Sequence, residues 1–310
     1  MNTDEKRVPG QTFPNTLQAV QRITWVGFGV NLVLSGLKLF AGIAGNSSVL
    51  IADAVHSLSD LVTDAAILIG SRFWGRPADE DHPYGHAKIE TMVTLFIGLA
   101  LMLVALGLLY DAIVTIFEML HGKKFASPTW LPLVAAVLSI IVKEYLYQIT
   151  VKTGMNLKSA VTIANAWHHR SDAFSSIPAA VTVAACLMLG SGFAFLDPVG
   201  TVVVAMMIVY AACKIIRPTL AALLDAGVSK TQYQEIAGLI RSFPEINGLH
   251  KLRTRHIGSS GLAADVHIQV DPDMPLRESH ALSHRIQRCL LESDKNILDV
   301  FVHVEPNEKK

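Results

Sequence analysis

Charged residues are scarce in this chain of 310 residues, and so are cysteines and aromatic residues. Asp, Glu, Lys and Arg make up 17% of the sequence, whereas an average soluble domain contains about 25%. Lys and Arg equal Asp and Glu in number, 26 each, so the chain lacks the basic surface of a nucleic-acid-binding protein. The three cysteines form no Cys-x-x-Cys pair, which excludes a disulfide scaffold and thiolate metal chemistry.

The few charges are distributed unevenly. Residues 217–310 contain 24 of them in 94 positions, whereas residues 1–216 contain 28. A membrane-spanning helix needs about 20 mostly apolar residues, and six stretches of the first part qualify: 20–42, 48–72, 91–118, 130–150, 161–189 and 196–216. We therefore predict an α-helical membrane protein with a cytoplasmic tail (1–19), a six-helix transmembrane domain (20–216) and a cytoplasmic α+β domain (217–310).

The orientation follows from the basic residues near the span ends. Six spans place both termini on the same side of the membrane. With the termini inside, ten Lys or Arg flank the inner ends, whereas the outer loops contain Lys123 and Lys124. Because positive charge accumulates on the cytoplasmic side, we expect both termini and the loop 73–89 in the cytoplasm.

Ionisable residues inside the second and fifth spans are the main functional signal. Four of them follow one another at steps of three, four and four in the second span and share one helix face: Asp53, His56, Asp60 and Asp64. In the fifth span, His168 and Asp172 are also four apart. Each span thus presents a His-x-x-x-Asp pair, and a charged group at this depth faces a cavity or a partner.

The two pairs together offer two imidazoles and two carboxylates, a set that suits tetrahedral zinc. The alternative is that the pairs bind only each other across the helix interface. Asp53 and Asp64 either line an aqueous vestibule or lie near the bilayer faces. No His-Glu-x-x-His motif is present and the four ligands leave no position for a catalytic water, so we do not expect an enzyme.

Four motifs in this order resemble the cation diffusion facilitator family: Ala52–Asp60, Pro77–Glu90, Ala164–Asp172 and Leu252–Arg255. The resemblance extends from about residue 15 to 306. It implies a homodimeric secondary transporter in a bacterial inner membrane, which exports a divalent metal from the cytoplasm in exchange for protons. It also implies the transport-site residues, which here are His56, Asp60, His168 and Asp172.

The resemblance leaves several metals open. The His-Asp/His-Asp set resembles that of zinc- and cadmium-type members of the family, whereas manganese-type members are rich in carboxylates. Relatives also include iron-handling magnetosome proteins. An iron- or manganese-handling member therefore stays an alternative to a zinc exporter, as does a metal-binding scaffold or sensor that transports nothing.

The loop between the second and third spans matches a second metal site of the family, with Asp79, His82 and His86 as ligands. A solvated polar loop is the alternative reading of these three residues. Lys88 and Asp225 match a charge pair that, in the family, ties the third span to the exit of the sixth. The resemblance gives this pair a structural role.

The C-terminal part alternates as α-β-β-α-β: helix 230–242, strands 248–257 and 262–271, helix 275–292 and strand 298–304. It resembles the metallochaperone-like dimerisation domain of the family. The resemblance assigns regulatory zinc binding to five residues, which spacing alone does not rank: His250, His267, His280, His303 and Glu305. His256 and His284 have no counterpart in the family and are expected on the surface.

Overall fold

The computed structural model describes residues 14–74, 76–123, 125–156, 160–258 and 261–307. Its elements in chain order are α1 (Pro14–Ala44), α2 (Ser48–Trp74), α3 (Ala87–Leu120), α4 (Trp130–Asn156), α5 (Ala160–Ser175), α6 (Ile177–Leu189), α7 (Leu196–Leu223), α8 (Lys230–Arg241), β1 (Gly248–Ile257), β2 (Gly261–Val270), α9 (Leu276–Leu291) and β3 (Ile297–Pro306). Two compact units contain them. One extends up to Asp64 and includes Ala100–Ala212, and the other comprises Ala65–Leu99 and the chain from Cys213 onward.

Long apolar helices form the first part of the chain, as predicted. Within the described residues, five segments are long and apolar enough to cross a membrane: Trp25–Ala44, Ala87–Leu120, Trp130–Asn156, Asn165–Leu189 and Leu196–Leu223. Helix α2 has 27 residues, which also suffices to cross a bilayer, and it contains the charged motif. The predicted class, a helical transmembrane domain followed by a small α+β domain, is confirmed.

The predicted fifth span, 161–189, is not one continuous helix but two, α5 and α6, which meet at Ser176. Pro178 lies at the start of α6. Because proline has no N–H and its ring collides with the carbonyl four residues earlier, the α-helical hydrogen bonds are interrupted just ahead of it. Ser176 N–H instead donates to Ala173 O at 3.3 Å. The break leaves the Ser176 hydroxyl buried and available for contacts with other helices.

Asp197, at the start of α7, accepts hydrogen bonds from the first turn of α2. Ser47 Oγ donates to Oδ1 at 2.7 Å, and the Ser48 N–H and hydroxyl donate to Oδ2 at 2.7 and 2.6 Å. The first N–H groups of a helix have no acceptor within the helix, and the helix dipole favours an anion at this end. The buried carboxylate therefore fixes the beginning of the helix that contains His56 and Asp60.

Arg170 holds α5 against α4. Its Nε lies 3.4 Å from Glu144 Oε2, and its guanidinium lies over the rings of Tyr147, Trp167 and Phe174 at 4.6, 5.5 and 5.7 Å from their centroids. Cation–π contacts of this kind stabilise more strongly away from water than at an exposed surface. The contact therefore fixes the register between two helices whose facing residues include Lys143 and Asp172.

The C-terminal part has the predicted α-β-β-α-β order. Its sheet has the strand order β1-β2-β3 within the described residues, with β1 antiparallel and β3 parallel to the central β2. The two helices bury Ile240 of α8 and Ile286 of α9 against Ile268 of β2, all fully buried. Apolar and polar residues alternate along the second half of β2, so its polar side chains lie on the opposite face of the sheet from this core.

We expect Asp197→Ala to destabilise the membrane part by about 2 kcal/mol, the upper end for the loss of a helix cap, because it leaves several buried donors at the start of α2 without an acceptor. Asp111→Ala on α3 removes an exposed carboxylate and serves as the control. Thermal unfolding of the full chain in detergent measures the difference. Equal melting temperatures for the two variants would contradict this role of Asp197.

Candidate metal centres

The predicted transport residues lie on α2 and α5, one turn apart on each helix. His168 Nδ1 is 3.8 Å from Asp172 Oδ1, and Asp60 interacts electrostatically with His56, Asp172 and His168. The two helices therefore bring the four residues into one electrostatic environment. Among the described residues, however, their ligand atoms do not form a group that lies wholly within 4.8 Å.

The four residues differ in burial. Asp172 is buried, whereas the His168 side chain is 43% exposed. His56 Nδ1 is buried and has no hydrogen-bond partner among the described atoms. A buried imidazole nitrogen normally has a hydrogen-bond partner. This atom is therefore suited to bind a metal ion. The assignment of these four residues to a transport site stays a prediction.

Lys143 on α4 is a neighbour of this site that the motif analysis missed. Its Nζ lies 3.4 Å from Asp172 Oδ2, with side chains that are 1% and 7% exposed. The sequence contained one signal for this residue, a lysine in the middle of an apolar span. Charged residues are rare at such positions and mark functional regions. Its partner was not predictable from spacing, since Lys143 and Asp172 are on different helices.

Asp53, whose role the sequence left open, is fully buried in an ion pair. Lys38 Nζ of α1 lies 2.8 Å from Asp53 Oδ2 and donates hydrogen bonds to Ser57 Oγ at 3.1 Å and Ser176 Oγ at 2.8 Å. Ser176 Oγ in turn donates to Asp53 Oδ1 at 3.1 Å. Asp53 therefore links α1 to α2, and its fully buried carboxylate does not line a water-filled vestibule. The Asp64 side chain lies outside the described residues.

Asp79, His82 and His86 come together in the loop before α3. Their ligand atoms all lie within 4.8 Å of one another, and Asp79 Oδ1 and Oδ2 are each 3.4 Å from a ring nitrogen, of His82 and His86 respectively. Two ligands about 2.1 Å from zinc at the tetrahedral angle are roughly 3.4 Å apart. The two distances from Asp79 to the histidines are therefore compatible with a shared zinc ion, and the assignment of this loop as a metal site stays a prediction.

The backbone builds this loop cluster. His82 N–H donates to Asp79 Oδ1 at 2.7 Å, and Gly85 N–H donates to His82 O at 2.9 Å. Gly85 has φ +79°, a conformation that side chains disfavour, and it turns the chain so that His86 faces Asp79. The hydrogen bond from the His82 backbone lowers the pKa of Asp79, which favours the ionised form that a metal requires.

In the C-terminal sheet, strand register brings three of the predicted histidines into one row. His250 on β1 is paired with His267 on β2, which is paired with His303 on β3. Glu305 lies two residues beyond His303, on the same face of the strand. Its carboxylate oxygens are 2.8 Å from His250 Nε2 and 2.6 Å from His267 Nδ1, and Oε1 is 3.5 Å from His303 Nε2.

The hydrogen bonds from His267 and His250 lower the pKa of Glu305 to about 2. Glu305 is therefore ionised at every physiological pH. The ligand atoms of His250, His267 and Glu305 all lie within 4.8 Å of one another. These three residues form the second described cluster with metal-ligand spacing.

His280 is not part of this group. It lies exposed on α9, where its Nε2 is 3.1 Å from Nε2 of His284, one turn further along the helix. The five residues that the resemblance assigned to the C-terminal part therefore lie in two separate places. His250, His267, His303 and Glu305 lie together on the sheet, and His280 lies beside a histidine that was expected to be an ordinary surface residue.

Lys88 and Asp225 contact each other, with 3.0 Å between Lys88 Nζ and Asp225 Oδ1. Both side chains are more than half exposed, so water weakens their attraction and the pair contributes little to stability by itself. Asp225 follows α7 with φ +54°. The structural role given to this pair by the resemblance stays a prediction.

Two protein-family models match the chain. The model of the cation efflux transmembrane domain matches residues 24–224, and that of the cation efflux protein cytoplasmic domain matches residues 228–307. The chain belongs to the cation diffusion facilitator family. Proteins of this family are membrane-embedded transporters of divalent metal cations, and their cytoplasmic domain supports assembly of two copies. The resemblance stated from the motifs is confirmed.

Named relatives cover nearly all of the chain. Metal tolerance protein C1 of Arabidopsis thaliana is 36% identical over 300 residues, which are 92% of this chain and 62% of that protein. The chain thus spans less than two thirds of this relative. Manganese efflux system protein MneP of Bacillus subtilis is 28% identical over 93% of this chain and 97% of its own length. Magnetosome protein MamB of Paramagnetospirillum magneticum is 26% identical over 95% and 97%.

We expect Glu305→Gln to weaken zinc binding at the sheet cluster by more than the roughly 10- to 100-fold that loss of an outer-shell partner costs, because an amide cannot replace the charge of the carboxylate. Asp299→Asn, an exposed residue of β3, is the matched control. Bound zinc per full-length chain is the measurement, with Asp79→Ala and Asp172→Asn present in every variant so that the other two proposed sites do not contribute. Unchanged zinc content in Glu305→Gln would show that the cluster holds no metal.

Proposed function

We propose that the chain exports Zn²⁺, and also Cd²⁺, from the cytoplasm across a bacterial inner membrane in exchange for protons. The observation that carries this proposal is the pair of His-x-x-x-Asp motifs on α2 and α5, whose four residues include an Asp60 that interacts electrostatically with the other three. Two imidazoles and two carboxylates fill the four positions of tetrahedral zinc. The family membership supports efflux of a divalent metal.

Proton exchange follows from the chemistry of the proposed ligands. Zinc binds neutral imidazole and ionised carboxylate, so protons and metal compete for His56, Asp60, His168 and Asp172. The reference pKa of histidine, about 6.5, lies in the range where the two sides of the membrane differ in pH. Protonation from the outer side would release zinc and return the carrier to its starting state.

We propose that the cytoplasmic sites regulate this transport. The C-terminal domain, from about residue 217, would pair two copies of the chain, and zinc at His250, His267, His303 and Glu305 would change how the copies approach each other. Metal in this domain and metal in the membrane would then affect each other's affinity reciprocally. The loop site at Asp79, His82 and His86 would bind zinc on the same cytoplasmic side.

Manganese is the second candidate substrate, because the chain is similar over almost its whole length to a protein named as a manganese efflux system. Manganese(II) prefers oxygen ligands, whereas the proposed set contains two imidazoles, which suit zinc better. Flux of Zn²⁺, Cd²⁺ and Mn²⁺ through the same proteoliposomes decides between the two. Faster transport of Mn²⁺ than of Zn²⁺ would overturn the zinc assignment, and binding without flux would indicate a scaffold.

We expect Asp172→Asn and His168→Ala each to reduce zinc flux into proteoliposomes by more than about 100-fold, since each removes one of four ligands. His121→Ala, which replaces an exposed histidine outside all three sites, is the control and retains normal flux. Wild-type flux in both ligand variants would refute the transport site.

The exchange for protons has its own measurement. A pH-sensitive dye inside the proteoliposomes should report proton movement opposite to zinc in the wild-type chain, because each zinc ion displaces protons from its ligands. The same dye should report no zinc-dependent change in Asp172→Asn. Zinc flux that proceeds without any pH change would exclude antiport.

A further inference from the structure

Lys143 places a basic side chain beside one of the proposed zinc ligands. It lies on α4, it is 1% exposed, and its Nζ is 3.4 Å from Asp172 Oδ2. The other oxygen, Oδ1, faces His168 Nδ1 at 3.8 Å. The two oxygens of Asp172 therefore face two different groups, and one of these groups is an ammonium.

Lys38, the other buried lysine of the described membrane helices, has a different environment from Lys143. Lys38 Nζ has three close oxygen contacts, to Asp53, Ser57 and Ser176, at 2.8 to 3.1 Å. None of these oxygens belongs to the four proposed ligands. The contact of Lys143 is longer, and it is made with a residue that must also serve the metal. Lys38 thus has a structural environment, whereas Lys143 shares its carboxylate.

Charge repulsion sets the two contacts of Asp172 against each other. A zinc ion bound to a carboxylate oxygen lies about 2.0–2.2 Å from it, and an ammonium at 3.4 Å from the same carboxylate would then be only a few ångströms from the ion. In a site shielded from water this repulsion is strong. The ammonium of Lys143 therefore opposes the binding of zinc to Asp172.

From this geometry we infer that Lys143 is a tethered competitor of the transported metal, and so a residue that determines the affinity of the transport site. The inference rests on the proposed transport function of Asp172. Its consequence is mechanistic: a carrier must bind its cargo tightly enough to take it up and weakly enough to release it. The ammonium of Lys143 lowers the affinity for zinc and takes its place on Asp172 when zinc leaves.

The test uses full-length chains that also contain Asp79→Ala and Glu305→Gln, so that zinc binding reports the membrane site. Lys143→Gln keeps a hydrogen-bond donor for Asp172 and removes the charge, whereas Lys143→Arg keeps the charge. Lys152→Gln removes an exposed lysine of the same helix and is the matched control. Zinc affinity is measured by calorimetry in detergent.

We expect Lys143→Gln to bind zinc at least about tenfold more tightly, the lower range for coupling between close charges. Lys143→Arg and Lys152→Gln should bind zinc as the parent does. In an Asp172→Asn background, Lys143→Gln should change nothing, because the competition acts through that carboxylate. A folded Lys143→Gln protein with unchanged or weaker zinc binding would overturn the inference, and so would equal tightening in the Asp172→Asn background.

A structure of the zinc-loaded wild-type chain tests the same point without any variant, in case Lys143→Gln fails to fold. The Lys143 Nζ to Asp172 distance should then exceed the roughly 4 Å of an ion pair, and zinc bound to Asp172 with this contact intact would overturn the inference.

Failure of the transport-site proposal itself would give a different result. Asp172→Asn would then retain zinc binding and flux, whereas failure of the Lys143 inference alone leaves the Asp172→Asn defect in place.

Discussion

A charge that leaves water must be paired, and this constraint organises the membrane part of the chain. Lys38 with Asp53 and Lys143 with Asp172 are two buried ion pairs. Removal of one partner from such a pair costs about 3–5 kcal/mol, so the first pair holds α1 to α2 and the second holds α4 to α5. His56 follows Asp53 by one turn and His168 precedes Asp172 by one turn, so each pair lies one helical turn from a histidine of the proposed transport site.

The helix break at Ser176 connects the two pairs. Its hydroxyl contacts Lys38 and Asp53, and it also lies 3.3 Å from the backbone oxygen of Asp172. Ser176 is therefore a neighbour that the two ion pairs share.

Local features of the sequence predicted much of this molecule. Apolar runs predicted the membrane helices, because length and hydropathy are properties of a single segment, and alternation predicted β2. The partners of Lys38 and Lys143 were not predictable, since each is on another helix and no spacing rule relates them. Likewise, nothing in the spacing of His250, His267 and His303 indicates that β2 pairs parallel with β3, and that pairing is what aligns the three histidines.

The three candidate sites differ in what holds their side chains in place. Asp79, His82 and His86 are oriented by their own loop, and the sheet cluster by strand register, so both have metal-ligand spacing without help from a metal. The four residues on α2 and α5 depend on two separate helices and on the carboxylate that Lys143 shares. A site built from two separate helices would change its geometry if those helices moved, as the proposed transport requires, whereas the proposed regulatory sites would benefit from rigidity.

The central claim is that α2 and α5 together bind the transported ion through two imidazoles and two carboxylates. The zinc K-edge X-ray absorption spectrum of the full-length chain, with the loop and sheet sites removed and one zinc bound per chain, tests it most directly. The account predicts two imidazole nitrogens and two oxygens at about 2.0–2.2 Å. A spectrum with fewer than two imidazoles, or with oxygen ligands alone, would contradict it.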